Sequence, residues 1–176
     1  QEACPNNLAP TTSTTAQLVM GDSLAVCLLE LRGFSSNDFA KYHPGGSLGK
    51  KLYLRVGDLS SQNMKPQVDI NTSIKDVIVE ISEKMLGVTA VVEKQKIVGI
   101  ITDGDLRRML SKSNDITALK AQNIMSSNPR RIDENAMAVD AKELMEEYGI
   151  SQLLVESNGA YAGVVHLHDL IKEGII

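Results

Sequence analysis

Gly87–Leu110 reads GVTAVVEKQKIVGIITDGDLRRML, and Gly149–Gly174 reads GISQLLVESNGAYAGVVHLHDLIKEG. Set one above the other, the two stretches keep step. Each has a glycine, a β-branched run, a polar turn, a second apolar run ending at a polar residue, and an aspartate three residues later. The offset is 62 at Gly87/Gly149 and 64 at Gly99/Gly163 and Asp105/Asp169. The two extra residues fall in the polar turn, where insertion is tolerated. Self-similarity of this kind marks one structural unit used twice.

Each copy predicts the same elements around that stretch. A polar-capped helix comes first, over Ile74–Leu86 and Met137–Tyr148. A strand follows, Val88–Val92 and Ile150–Val155, then a second, Ile97–Thr102 and Ala160–His166. A closing helix starts at Asp103 or Leu167. Ahead of each copy lies a short extended piece and a turn, Asp58–Met64 and Asn123–Pro129. The expected fold is therefore α/β (α+β), a β-α-β-β-α unit twice over. A unit of about 60 residues cannot bury both faces of its sheet alone. Packing the two copies together would.

The junction Gly99-Ile100-Ile101-Thr102-Asp103-Gly104-Asp105 carries chemistry. A strand ends, a helix begins, and backbone N–H groups point outward at an anion. Thr102 offers a hydroxyl to a phosphate, and Asp105 can accept from sugar hydroxyls. The alternative is a bare helix cap. The second copy reads Gly163-Val164-Val165-His166-Leu167-His168-Asp169, with His166 in place of the threonine. A neutral imidazole still donates to a phosphate, and its titration near neutrality would make the site pH-sensitive between about pH 6 and 7.5. His166 and His168 also read simply as a strand end and a cap.

The 176 residues include 43% hydrophobic ones, enough for a packed core, and a net charge of −4. No basic block suggests a nucleic-acid surface. No uninterrupted apolar run approaches about 18 residues, so no membrane span is expected. Cys4 and Cys27 show no metal-ligand spacing, and a reduced, cytoplasmic protein is the simplest reading.

The chain opens QEACPNN, which reads as a piece of something longer. Pro10–Thr15, PTTSTT, suits the start of a helix; its hydroxyls cap, or approach a phosphate. The helix that follows, to the stop at Gly33, is apolar over most of its circumference, with Leu18, Met20, Leu24, Val26, Leu28 and Leu31 among its residues. Such a helix is a buried one. Its cover must come from a larger domain or another chain, and a dimer or tetramer is expected. Farther on, Phe39–Lys50 reads FAKYHPGGSLGK. Pro44 should hold His43 extended, and Gly45 and Gly46 should turn the chain so that the imidazole is presented from a fixed place. The competing reading has His43 capping a helix over 34–42, or lying at a subunit contact.

The repeated unit, with its glycine, two apolar residues, Thr102 and Asp105, resembles a pair of CBS domains, a regulatory module that often binds adenosine nucleotides in the cleft between copies. The resemblance implies ligand contacts at Asn71, Thr72, Thr102, Asp105, Asn123, His166 and Asp169. At Asn123 such families often carry an acid, and its first-copy counterpart is Asp58. Residues 1–55, with the HPGG segment, resemble the end of the SIS (sugar isomerase) domain of the bacterial arabinose-5-phosphate isomerase family, in which a CBS pair follows directly. That implies three parts: a helical SIS remnant and linker at 1–55, CBS domain 1 at 56–113 and CBS domain 2 at 114–176. It also implies an aldose–ketose isomerase interconverting D-ribulose 5-phosphate and D-arabinose 5-phosphate, the latter feeding Kdo, an acidic sugar of lipopolysaccharide and some capsules. His43 matches a histidine implicated in that active site. The serine-rich phosphate loop and catalytic carboxylates are not found, so these 176 residues alone should not turn over substrate. No metal and no cofactor are expected; CMP-Kdo, AMP or ATP are candidate regulators in the cleft. The alternatives are a free-standing nucleotide sensor and a dimerisation plate that binds nothing.

Overall fold

A computed structural model describes residues 1–43, 45–112 and 115–176. The calls that fall on Pro44, and on the 113/114 boundary, lie outside the described residues. The chain divides into two units, Gln1–His43 and Pro44–Ile176.

The first unit holds α1 (Thr12–Leu31) and α2 (Ser36–Tyr42). No residue of α1 is buried. Leu18, Met20 and Leu31 are 66%, 66% and 83% exposed. Among the described residues α1 is exposed, in keeping with the expectation that its cover comes from a larger domain or another chain. By length and composition alone α1 could cross a membrane. A core helix of a soluble protein passes the same test of length and composition. The threonine hydroxyls do not cap α1 either. One Glu2 carboxylate oxygen accepts from the N–H groups of Thr11 and Thr12, at 2.6 and 2.7 Å. Its partner oxygen accepts from Ser13 N–H at 3.2 Å. Thr14 and Thr15 donate back to the Thr11 carbonyl. A carboxylate satisfies orphan N–H groups and the helix dipole together. Those hydrogen bonds, from Ser13 and Thr11, hold the Glu2 carboxyl down to about 2.

The second unit begins with α3 (Ser47–Tyr53) and α4 (Val56–Ser60). The first copy continues with β1 (Gln67–Val68), α5 (Ile74–Lys84), β2 (Val88–Glu93), β3 (Lys96–Thr102) and α6 (Asp103–Lys112). The second runs α7 (Ala121–Ile124), β4 (Ser126–Ser127), β5 (Arg131–Asp133), α8 (Ala138–Tyr148), β6 (Gln152–Ser157), β7 (Ala160–His166) and α9 (Leu167–Lys172). Of the segments expected to be extended ahead of each copy, Asp58–Met64 and Asn123–Pro129, the first begins in α4 and the second in α7, and the second then runs extended as β4. α5 stops two residues short of Leu86, because Met85 takes a left-handed backbone.

The core explains the pattern. In α5, Ile74, Val77 and Ile81 are buried; in α8, Ala138, Ala141 and Met145 are. Both sets stand at i, i+3 and i+7, one face of a helix. Ser73 caps α5, accepting from Asp76 N–H, and Gly149, at φ 61°, ends α8 in the left-handed conformation. β2 pairs parallel to β1 and antiparallel to β3; β6 pairs parallel to β5 and antiparallel to β7. Val88, Thr89, Ala90 and Val91 are buried in succession, so both faces of β2 are covered. Val91 faces the helices of its own copy. Val88 and Ala90 meet Leu154, Tyr161 and Val164 of the other. Pairing the copies does bury the second sheet faces.

The copies also exchange their leading segments. Val56 and Leu59 of α4 lie in the core of the second copy, with Ile132, Leu153 and Leu170. Ala121, Ile124 and Met125 pack into that of the first. β4 joins the first copy's sheet through Gly99 and Ile100. The backbone repeats the exchange: Val56 N–H donates to Ala136 O, and Ala121 N–H to Thr72 O, each at 2.9 Å. The repeated glycines sit where these segments cross. A Cβ on Gly99 would meet Met125 Sδ at 2.6 Å; Gly163 faces Ser60.

Candidate functional site

The first junction is built where β3 runs into α6. Thr102 donates twice to Asp105 Oδ2, through its N–H at 2.8 Å and its hydroxyl at 2.6 Å. Asp105 N–H returns a bond to Thr102 Oγ1 at 3.2 Å. Arg108 Nη2 donates to Asp105 Oδ1 at 2.6 Å, and the carboxylate is 8% exposed. Burial pushes the Asp105 carboxyl up, but the hydrogen bonds from Thr102 and Arg108 outweigh it and hold it below the usual value. The pair is a reciprocal helix cap with an arginine clamp. Both oxygens of Asp105 are in use, so a ligand would take the lone pairs that remain. Asp105 lines a cavity of about 320 Å³ with Arg108, Lys112 and Asn123.

The second junction keeps the cap and changes its partners. His166 N–H donates to Asp169 Oδ2 at 2.8 Å. Asn63 Nδ2 donates to the same oxygen at 2.6 Å and to Val164 O at 3.1 Å. His168 N–H donates to His166 Nδ1 at 3.0 Å, which places the proton of the neutral imidazole on Nε2. The two rings stand 4.8 Å apart. Burial, then the neighbouring His168, lowers the His166 titration below 6.5, against an opposing pull from Asp169. The neutral imidazole is the form the fold favours at pH 7, and its change of charge is moved toward lower pH than that of a free imidazole. His166, His168 and Asp169 share a cavity of about 370 Å³ with Met85 and Leu86.

The remaining residues are placed less uniformly. Asn123 Oδ1 accepts from Lys120 N–H at 2.8 Å, and Asp58 Oδ2 accepts from Arg55 N–H at 2.9 Å. The amide does the capping work of the acid at its counterpart, without the charge. Thr72 Oγ1 accepts from Asp69 N–H at 3.0 Å, and Asn71 N–H donates to Asp69 Oδ1 at 2.9 Å. Asn71 and Thr72 thus build the turn before α5, and neither lines either cavity. His43 ends α2, with its N–H on Phe39 O at 3.0 Å. Its ring lies 4.6 Å from that of Phe39. Its ψ is 57°, so its backbone is not the extended one expected ahead of Pro44. Gly46 sits at φ −77°, ψ 162°, which any residue adopts. Sequence reasoning missed Asn63. The available signal was Asn128 at the matching place, 65 residues on, the same offset that joins Asp58 to Asn123. No cluster of three or more His, Cys, Asp or Glu fit to hold a metal occurs among the described residues.

Two intertwined α/β copies, each ending a hairpin at a capped helix start, define the architecture of a tandem α/β module. The CBS domain model matches residues 56–112 and 121–175, and the chain belongs to the CBS domain family. Over its whole length it is 47% identical to the arabinose 5-phosphate isomerase KdsD of Yersinia pestis, of which it covers 54%. It is 47% identical to that of Francisella tularensis over 98% of this chain and 53% of the relative. The chain thus spans about half the length of the curated relatives it matches. Among solved structures, a CBS domain protein of Pyrobaculum aerophilum complexed with AMP aligns with a TM-score of 0.60 at 21% identity, covering 66% of this chain and 90% of that one. That likeness concerns the fold.

Proposed function

We propose that this chain is part of an aldose–ketose isomerase that interconverts D-ribulose 5-phosphate and D-arabinose 5-phosphate for Kdo synthesis in the cytoplasm, and that its CBS pair is the regulatory or assembly module. The observation that carries this is the 47% identity running over the whole chain, residues 1–55 included, which lie outside the CBS matches. Moving a proton between C1 and C2 through an enediol requires a base at neutral pH. An exposed imidazole at the end of a short helix meets that requirement, and His43 is assigned that role. α1 is read as a core helix of the adjoining catalytic domain. The CBS cleft takes an anionic regulator, with CMP-Kdo, AMP and ATP as candidates.

The test is turnover by the longer protein. His43→Ala should lower kcat by about 10²–10⁴-fold, the worth of one acid–base group, while the 176-residue chain alone stays at background. Wild-type turnover in the variant returns His43 to its place as the end of α2. Titration calorimetry with CMP-Kdo, AMP and ATP addresses the cleft. Asp105→Ala is informative there only beside a melting curve, because Asp105 also caps α6. Absence of heat with all three ligands leaves assembly as the role of the pair.

A further inference from the structure

Away from the helix starts, a cavity of about 480 Å³ opens between residues 65–69, the β2–β3 turn and Tyr161 of the second copy. Its back wall is fixed. The buried Tyr161 hydroxyl donates to Pro66 O, and Tyr161 N–H donates to Gln95 O, each at 2.8 Å. Two cations stand at it. Lys65 Nζ lies 5.1 Å from the Tyr161 ring centroid. Neither Lys65 nor Lys94 is in a salt bridge among the described residues.

The second copy serves as an internal comparison. The strand registers place Gln67 opposite Arg131 in the repeat, Val92 opposite Glu156, and the turn Lys94–Gln95 opposite Asn158–Gly159. There Arg131 and Glu156 close an ion pair at 3.2 Å. The turn uses the residue types that left-handed backbone favours. In the first copy that pair is absent. Lys94 and Gln95 hold φ of 47° and 66°, a conformation that side chains bearing a Cβ rarely adopt. Strained backbone of this kind clusters at functional sites, and this turn lines the cavity with Lys94 and Gln95.

We propose that this cavity binds a small phosphorylated polyol, with Lys65 and Lys94 on the phosphate and Gln67, Gln95 and Asp69 on the hydroxyls. Lysine binds phosphate as a point charge, and carboxamides and a carboxylate suit a hydroxylated ligand. The volume falls toward the lower end of small-molecule sites, roughly 300–1,000 Å³, which fits a sugar phosphate. The lysines come from one copy and Tyr161 from the other, so an occupied site ties the two together. The choice of a pentose phosphate as ligand rests on the isomerase reading; the site itself does not.

The experiment is an NMR titration of the 176-residue chain with D-arabinose 5-phosphate, D-glucose 6-phosphate, inorganic phosphate and neutral D-arabinose. Expected are shifts at the 94–95 amides and the Tyr161 ring, at least tenfold weaker binding of arabinose and of inorganic phosphate, and at least tenfold weaker sugar-phosphate binding in K65Q/K94Q at unchanged Tm. The variant K94N/Q95G copies the relaxed turn of the second repeat; it should melt higher and bind less tightly. Lysine-dependent binding of glucose 6-phosphate without arabinose 5-phosphate supports the site and breaks its link to the isomerase, whose own test is turnover by the longer protein. The proposal is overturned if neither sugar phosphate binds, if inorganic phosphate binds as tightly, if K65Q/K94Q binds as wild type does, or if the shifts fall only at 102–105 and 166–169.

Discussion

Gly99 has no room for a side chain. An added Cβ would stand 2.6 Å from Met125 Sδ and 3.2 Å from its Cβ. The thioether end can swing away, but the Met125 Cβ cannot move without its backbone. Gly99→Ala should destabilise the protein by about 1–3 kcal/mol, the usual range for overpacking. In a Met125→Ala background the added cost should shrink, because the two residues touch. Urea denaturation of the four proteins of that cycle measures it, and additive effects would contradict the contact. His166 makes a second prediction. Folding lowers its titration below 6.5, so the neutral form is the one the fold favours. The contribution is fully present above that value and is lost as pH falls through the lower, folded one. Unfolding free energy followed from pH 7.5 to 5 should therefore decline more steeply for wild type than for His166→Asn. Parallel curves would show that this imidazole does not drive the decline.

At the scale of elements, the exchange of α4 and α7 has energetic consequences. Leu59 belongs to the first copy by sequence, is 3% exposed and lies in the second copy's core. Leu59→Ala should cost about 2–5 kcal/mol, as buried leucine truncations do. The loss should be read out at a distance in sequence. Hydrogen exchange is expected to quicken in β6 and β7 more than in β2 and β3; the reverse order would mean that α4 serves its own copy. The same exchange explains why two of the sequence expectations held only in part: Ser126–Ser127 is extended as β4, but residues 123–124 ahead of it and residues 58–60 are helical. Asp58–Met64 and Asn123–Pro129 look extended because they are short and rich in turn formers. Each nevertheless begins inside a short helical turn, Val56–Ser60 or Ala121–Ile124, since Val56 and Ala121 find buried places on the opposite copy.

For the whole molecule, α1 sets the behaviour in solution. Its apolar side chains are open to water on all sides within this chain, and apolar patches beyond a few hundred Å² rarely stay so. The 176-residue chain is expected to self-associate, as a dimer or tetramer, at micromolar concentration. Light scattering is the measurement, and a clean monomer would count against the reading of α1 as an unpartnered core helix. Replacing Leu18, Leu24 and Leu28 by Glu should shift the population to monomer without altering the CBS pair.

The architecture was legible because period and repetition are properties of a linear string. The buried face of α5 and of α8, the two hairpins and their 64-residue offset all follow from which residues are apolar and how they alternate. The two capped junctions were legible too, since Thr102 with Asp105, and His166 with Asp169, are neighbours in sequence and a cap is a local device. Partnership across the fold was not. That Asn63 would bond to Asp169, that Glu2 would take the start of α1, and that Lys65, Lys94 and Tyr161 would face one cavity depend on which surfaces meet. The packing of one apolar face on another carries no mark in the order of the residues. Sequence by itself determined the unit and its duplication. Tertiary structure decided the exchange of segments between the copies and which polar groups remain free to meet a ligand, because burial and hydrogen bonding are settled only once the two copies close on each other.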